Sequence, residues 1–257
     1  MRSKYFMYLC AAVLPILLSS CAAPRMRTNV PTSIMVPSVS TRGVVERHDM
    51  VHVVMPGETV FRLGRMYDVK VADILSRNGL KSSDTLKMGQ KITIPGAAPL
   101  KEVIPVFPSR KWKYIIIHHS ATDEDDAMSL YKMHQRRGWD STGYDFLIDN
   151  GTKGTVAGHM DATPRWIAQK DGAHCKASNM NTKAIGICLI GNFSKENVSD
   201  EQLKALVNLV KYLRAYYNIP LKNIMGHGQV PEAATECPGK LFPWKRFWEL
   251  LASAGSR

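Results

Sequence analysis

The chain has 257 residues, which suffices for one large domain or two small ones. Apolar residues make up 45% of it, so a sizeable core is expected. The formal net charge of +12 favours polyanions, but the Lys and Arg residues are scattered, without a dense run or an aromatic-interleaved patch. The charge pattern therefore argues against nucleic acid as a partner.

Residues 1–20 have the pattern of a signal peptide. A basic start, MRSK, precedes 14 uncharged residues, YFMYLCAAVLPILL. That run is short for a bilayer span, which needs about 20 apolar residues, but it fits a signal-peptide core; a short membrane anchor is the alternative. The LSSC that follows resembles a bacterial lipoprotein signal, which implies cleavage before Cys21 and acylation of that residue. Ala22 stands where inner-membrane retention usually needs Asp, so we expect a lipid-anchored envelope protein, on the outer membrane and facing the periplasm.

Residues 21–49 are predicted to form the lipidated, flexible tether. From residue 22 they show no sustained helical or strand period, and they contain three prolines among Ser, Thr and Arg. In the envelope, the basic charge of the chain points to anionic lipid headgroups or to the acidic cell-wall polymer.

Residues 50–96 are predicted to form a small strand–helix–helix–strand domain. VHVV reads as a strand, Thr59 can cap a helix over Val60–Tyr67, the NG at 78–79 ends a helix over Val71–Arg77, and KITIP returns as a strand. The block resembles a LysM domain over its whole length, through VMPGETV, NGL and GQKITIP. The resemblance implies a βααβ fold that binds the N-acetylglucosamine-containing glycan of peptidoglycan or chitin; a small spacer is the alternative.

A second linker is predicted over residues 97–111, which contain three prolines. The cysteine count then constrains the rest of the chain. Of five cysteines, Cys10 leaves with the signal and Cys21 is the acylation site, so Cys175, Cys188 and Cys237 cannot all pair. At least one is a free thiol or a metal ligand, and a bridge between the first two stays open.

Residues 112–257 alternate predicted strands with helices, an α/β pattern. The apolar strand at 114–117 should send His118 and His119 to opposite faces, because side chains alternate along a strand. A helix is expected over 122–139, with acidic residues in its first turn.

Further elements follow along the same segment. GYDFLID should form a strand with Tyr144, Phe146 and Ile148 on one side, and KAIGICLIGNF a central one. Ser199 and Gln202 predict a capping box for a helix over residues 200–217. The final helix starts near Pro243.

Three side chains suggest a metal site in this segment. His118 and His227 each end a predicted strand, and Cys237 closes the loop GHGQVPEAATECPG. Two imidazoles and a thiolate suit zinc, and three protein ligands leave a fourth position for water. Each residue alone is more often a polar residue at the rim, so the prediction depends on their combination.

Residues 112–250 or so resemble a zinc-dependent N-acetylmuramoyl-L-alanine amidase, of the type shared with phage amidases and peptidoglycan recognition proteins. IIIHHSAT, HQRRGWDSTGYDFLI, GAHC, AIGICLIGNF, GHGQV and TECPG stand in the family's order and cover nearly the whole domain. The resemblance implies an α/β fold with a mixed central sheet flanked by helices. It also implies one zinc per chain, held by His118, His227 and Cys237.

The same resemblance suggests further site residues. Tyr144 matches a catalytic tyrosine that orients water or donates a proton, Thr235 a donor to the developing oxyanion, and His174 a substrate-binding residue of the groove. The alternatives are a packed tyrosine and a loop threonine bonded to its own backbone. His119 and His134 are expected to be structural.

Three functions follow from these patterns. The first is hydrolysis of the amide bond between N-acetylmuramic acid and the L-alanine of the stem peptide, by a monomer whose partner is peptidoglycan. The second is recognition without catalysis, but recognition-type relatives replace the cysteine ligand that stands here as Cys237. The third is a structural link between membrane and wall, for which no metal site would be needed. The LysM domain is expected to act only by raising the local concentration of substrate.

Overall fold

The computed structural model describes residues 32–36, 47–55, 57–98, 102–109, 111–122, 126–139, 141–153 and 155–253. The predicted signal peptide, Cys21 and most of the predicted tether lie outside these ranges. Within them, none of the helices combines the length and the apolar character that crossing a bilayer requires.

The helices and strands, in chain order, are β1 Thr32–Val36, β2 His48–Val53, α1 Val60–Met66, α2 Val71–Arg77, β3 Lys91–Ala97, β4 Glu102–Val106, β5 Tyr114–His119, α3 Ala127–Arg136, β6 Phe146–Ile148, β7 Met160–Ala162, α4 Pro164–Ile167, α5 Met180–Lys183, β8 Ala184–Leu189, α6 Asp200–Tyr217, β9 Ile224–Gly226 and α7 Trp244–Ala252. Short 3-10 helices cover Ala177–Asn179, Leu221–Asn223 and His227–Gln229.

Residues 47–98 form the N-terminal unit, which has the predicted βααβ order. β2 pairs antiparallel with β3, and α1 and α2 pack on this ribbon. The Thr59 hydroxyl caps α1 by accepting the Arg62 N–H at 3.2 Å. Alternation in β3 buries Ile92 and Ile94 fully, as the sequence predicted.

The predicted tether and linker need correction where the structure describes them, because β1 pairs antiparallel with β4. Val103 is buried in the core of the N-terminal unit, whereas Ile104 and Val106 are buried in the core of the following unit. The prolines misled the prediction. A proline is tolerated in a sheet's edge strand, where its missing N–H need not break the ladder. The Pro105 carbonyl also accepts a hydrogen bond from Trp166 Nε1 at 2.7 Å.

Residues 111–253 form the C-terminal unit, built on a five-stranded sheet in the order β7-β6-β8-β5-β9. β6, β8, β5 and β9 run parallel, and β7 is antiparallel at the edge. The expected α/β fold, with a mixed central sheet flanked by helices, is confirmed. β8 lies at the centre, as its apolar sequence predicted.

The two faces of this sheet pack against different elements. One face joins α6 and α7 in the larger core. On the other face, His118 of β5 is in register with Cys188 of β8, which is in register with Leu147 of β6. Leu130 of α3 covers this side, which we call the α3 face. The functional site lies there.

Two predictions on the α3 face need correction. α3 begins at Ala127, not at residue 122, and Asp126 is its N-cap, whose carboxylate accepts the Ser129 N–H at 2.6 Å. Tyr144 precedes β6 and does not share a side with Phe146, because it packs on the α3 face. Strand alternation cannot fix a residue that lies outside the strand.

The capping box predicted for α6 is half formed. Ser199 Oγ accepts the Gln202 N–H at 3.2 Å, and the helix begins at Asp200 as expected. The Gln202 side chain does not return to Ser199. Its Nε2 donates instead to the Ile190 carbonyl at 2.7 Å, which ties α6 to the end of β8.

Candidate metal centre

β5 ends in two histidines that point in opposite directions. His118 is 1% exposed and lies on the α3 face. The His119 ring packs on Phe193, and its Nδ1 accepts the Phe193 N–H at 3.2 Å. Alternation along the strand produces this separation. The His119 side chain therefore has a structural contact away from His118.

His227 lies directly after the last residue of β9. A tight loop then brings Cys237 back to the same end of that strand. The Gly228 N–H donates to the Cys237 carbonyl at 2.7 Å. A Cβ at Gly228 would collide with the Thr235 carbonyl, so only glycine allows the two backbone segments to approach this closely. The loop thereby sets an imidazole and a thiol beside His118.

The three predicted ligands form one group, and among the described residues it is the only group of this kind. One ligand atom of each residue lies within 4.8 Å of the other two, and His118 Nδ1 is 3.6 Å from Cys237 Sγ. A tetrahedral zinc, with bonds of about 2.3 Å to sulfur and about 2.0 Å to nitrogen, would separate such a pair by about 3.6 Å. The donor atoms and this distance both fit zinc.

The protonation of these groups is set mainly by burial. Burial lowers the pKa of His118 well below 6.5, reinforced by the charges of His174 and His227, and burial also lowers the pKa of His227. Both imidazoles are therefore neutral, as a ligand must be. Burial raises the pKa of the Cys237 thiol to about 12, so its thiolate needs a cation beside it.

His174 lies behind His118, not at the surface of a groove. Its side chain has 0% exposure, and the contact with substrate stays a prediction. Its Nδ1 is 3.1 Å from His118 Nε2, and its Nε2 is 3.4 Å from the Ala184 carbonyl oxygen. Since a carbonyl only accepts, His174 carries its proton on Nε2 and accepts from His118 Nε2–H. The unprotonated Nδ1 of His118 then faces Cys237.

Two glycines make room for the His174 ring. A Cβ at Gly186 would lie 2.5 Å from His174 Cδ2, and one at Gly172 would collide with the same ring. Asp145 lies at this slot, where its Oδ2 accepts the Gly186 N–H at 2.8 Å and is 4.0 Å from His174 Nε2. Burial raises the pKa of Asp145 to about 7. Sequence reasoning missed Asp145, and the available signal was its place beside Tyr144.

Tyr144 lies beside the metal-binding group. Its ring centroid is 5.1 Å from that of His118, and the side chain packs on the cluster that contains Cys188. Burial, reinforced by Cys188 and Cys237, raises the pKa of Tyr144 well above 10.0. The phenol therefore keeps its proton at neutral pH and can donate it in a hydrogen bond.

Thr235 is exposed on the loop that carries Cys237. Its Oγ1 accepts the Cys237 N–H at 3.2 Å, which is the local bond that the sequence left as an alternative to catalysis. The two roles are compatible, because a hydroxyl that accepts a hydrogen bond still has its own hydrogen to donate.

Three other residues lie outside the metal-binding group. His134 is buried, and its Nδ1 accepts the Gly143 N–H at 3.3 Å. Burial, with Arg137 and Arg165, lowers the pKa of His134 to about 4. Cys175 and Cys188 form no disulfide and are buried in different clusters, so the bridge left open by the sequence is not formed.

The mixed α/β sheet brings two histidines and a cysteine to one point, a set of donors that could hold a metal ion. The sequence profile described as N-acetylmuramoyl-L-alanine amidase matches residues 108–240, and that of the LysM domain matches residues 52–95. The chain therefore belongs to the N-acetylmuramoyl-L-alanine amidase family and carries a LysM domain in its N-terminal unit.

Similar proteins include animal and bacterial members of this group. The chain is 34% identical over 159 residues to peptidoglycan-recognition protein LB of Drosophila melanogaster, covering 55% of this chain and 63% of that protein. It is 32% identical over 124 residues to an N-acetylmuramoyl-L-alanine amidase of Sus scrofa, covering 47% of this chain and 19% of that protein. The match thus spans less than two thirds of either relative.

Solved structures give similar matches. The amidase LysC from Clostridium intestinale is 30% identical, with a TM-score of 0.46, over 57% of this chain and 90% of that chain. Wild-type PGRP-LB of Drosophila is 28% identical, with a TM-score of 0.41, over 55% of this chain and 80% of that chain.

Proposed function

We propose that the chain is a zinc-dependent peptidoglycan hydrolase. Its reaction adds water across the amide between N-acetylmuramic acid and L-alanine, leaving a carboxylate on the lactyl group and an amine on the stem peptide. The observation that carries the proposal is the group of His118, His227 and Cys237, whose ligand atoms lie within 4.8 Å of one another. Family membership supports the reaction type.

The three ligands would hold one zinc ion, which supplies a Lewis acid and lowers the pKa of water to about 7. His174 keeps His118 in the tautomer that presents Nδ1 to the ion. Tyr144, protonated at neutral pH, donates a hydrogen bond to the reacting carbonyl or a proton to the departing nitrogen. The Thr235 hydroxyl donates to the oxygen on which negative charge develops.

Mass spectrometry of fragments released from purified peptidoglycan tests this function. We expect intact stem peptides with a free amino group on L-alanine, and glycan strands whose muramic acid carries a free lactyl carboxylate. Fragments cut within the glycan or within the peptide would assign a different reaction. Binding without release of fragments would favour the recognition role.

We also propose that the chain is anchored in the envelope, on the outer membrane and facing the periplasm, by acylation of Cys21. The support comes from the sequence only, namely the signal-peptide pattern that ends in LSSC and the Ala22 that follows, since Cys21 lies outside the described residues. Labelling cells with a fatty-acid analogue tests it. The parent should incorporate label and Cys21→Ser should not. Equal labelling of both would exclude this site.

A further inference from the structure

The N-terminal unit packs directly on the C-terminal unit, although the sequence predicts a module on a linker. Arg62 of α1 is 7% exposed, and its Nη2 donates to the Met160 carbonyl of β7 at 3.3 Å. A Cβ at Gly57 would lie 3.2 Å from Ile167 Cγ1 of α4. These contacts place the start of α1 against β7 and α4.

Charge complements this contact. Asp161, in β7, is 4% exposed, and its Oδ1 lies 3.5 Å from His159 Nε2. Burial would raise its pKa, but His159, and then Arg62 and His52 from the N-terminal unit, hold the pKa of Asp161 below its usual value. The largest favourable contribution comes from His159 of the same unit, and the two basic residues of the N-terminal unit add to it across the interface.

β4 joins the two cores a second time. Neighbouring residues of this strand point to opposite sides, so that Val103 enters the core of the N-terminal unit and Ile104 that of the C-terminal unit. Tilting one unit against the other would therefore expose apolar surface of β4.

The interface reaches the residues that support Tyr144. Met55, in the loop before α1, packs on the cluster that contains Leu147 and Cys188, and Tyr144 packs on the same cluster. One side chain of the N-terminal unit is thus a single layer away from the phenol.

We propose that the N-terminal unit is a docked part of the catalytic unit, and that Arg62 and Met55 form an internal interface that holds Tyr144 in place. The effect on catalysis rests on the proposed function; the docking does not. Hydrolysis of a small soluble muramoyl peptide, which offers no glycan strand to a LysM domain, then depends on this interface.

The first test compares Arg62→Met with Arg65→Met in the full-length chain. Both residues lie in α1, but Arg65 is exposed and away from the interface. We expect Arg62→Met to lower turnover of a small muramoyl peptide about tenfold, in the range of one lost buried hydrogen bond, and Arg65→Met to keep the parental rate. Parental turnover in both variants would show that the N-terminal unit is a separate module that does not affect catalysis.

Calorimetry provides a readout that does not need activity. The parent should unfold in one transition, and Arg62→Met should lower its Tm by roughly 5 °C or split it into two. Two independent transitions in the parent would overturn the docking. If the parent did not hydrolyse muramoyl peptides but still unfolded as one unit, the proposed function would fail while the interface stood.

Met55→Ala provides the second variant in case Arg62→Met does not fold. Its matched control is Met88→Ala, since Met88 belongs to the same unit and is 41% exposed. We expect a several-fold loss of small-peptide turnover only for Met55→Ala. Parental turnover in Met55→Ala would contradict the link to Tyr144.

Discussion

At the scale of single residues, the proposed metal ligand His118 depends on a side chain that lies behind it, away from Cys237. His174 fixes the proton of His118 on Nε2, and two glycines leave the space that the His174 ring occupies. The order of the amidase-like motifs in the sequence predicted that His118, His227 and Cys237 lie together. It could not reveal the role of His174, because that role depends on which ring lies behind which across the sheet.

His174→Ala should weaken zinc binding by about ten- to a hundredfold, the usual effect of losing an outer hydrogen-bond partner of a ligand. Competition with a chromophoric chelator measures this without any assay of hydrolysis. His174→Gln should recover part of the affinity, because its amide oxygen can accept from His118. His119→Gln is the control, since His119 faces the opposite side of β5; an equal loss there would assign a general structural effect.

Thr235→Ala should lower turnover roughly tenfold, within the range of one lost hydrogen-bond donor, while the bound zinc stays at the parental level. Thr235→Ser retains both the hydroxyl and its bond to the Cys237 N–H, so it should keep most of the activity. Steady-state hydrolysis together with metal analysis separates the two effects. Parental activity in Thr235→Ala would leave Thr235 as a plain loop residue.

At the scale of elements, local signals determined most of what could be predicted. α6 starts at Asp200 because Ser199 caps it, and β5 separates His118 from His119 by alternation. The β1–β4 ribbon was missed because its partners are about seventy residues apart, and nothing local in a proline-containing segment indicates long-range pairing. Tyr144 was assigned to the wrong side of the sheet because β6 begins only at Phe146, so strand alternation does not apply to Tyr144.

Ile104→Ala tests whether β4 is a core strand or a linker. A fully buried isoleucine cut to alanine should destabilise the fold by about 2 to 5 kcal/mol. Pro108→Ala is the control, because Pro108 lies in the same predicted linker but is exposed. Chemical denaturation measures both variants. A change within about 0.5 kcal/mol for Ile104→Ala, as at an ordinary surface position, would restore the linker interpretation.

At the scale of the whole molecule, removal of the metal should abolish hydrolysis of peptidoglycan and leave binding to peptidoglycan intact. We expect one zinc per chain, and we expect a chelator or Cys237→Ser to abolish hydrolysis, because two remaining ligands do not hold the ion tightly. Sedimentation with insoluble peptidoglycan should still show binding, since none of these ligands belongs to the LysM domain. Hydrolysis by metal-free protein at the parental rate would contradict the mechanism.

If the chain is anchored as proposed, the pairing of β1 with β4 also limits how far its C-terminal unit can lie from the membrane. A tether over residues 21–49 would span 28 peptide units, or at most about 100 Å when fully extended. If Cys21 carries the lipid as proposed, only 11 units separate it from Thr32 in β1, a leash of at most about 40 Å. The protein cannot reach peptidoglycan that lies farther from the membrane than the combined length of this segment and the folded units. This strand pairing would thus set the depth of peptidoglycan that the proposed hydrolase can process.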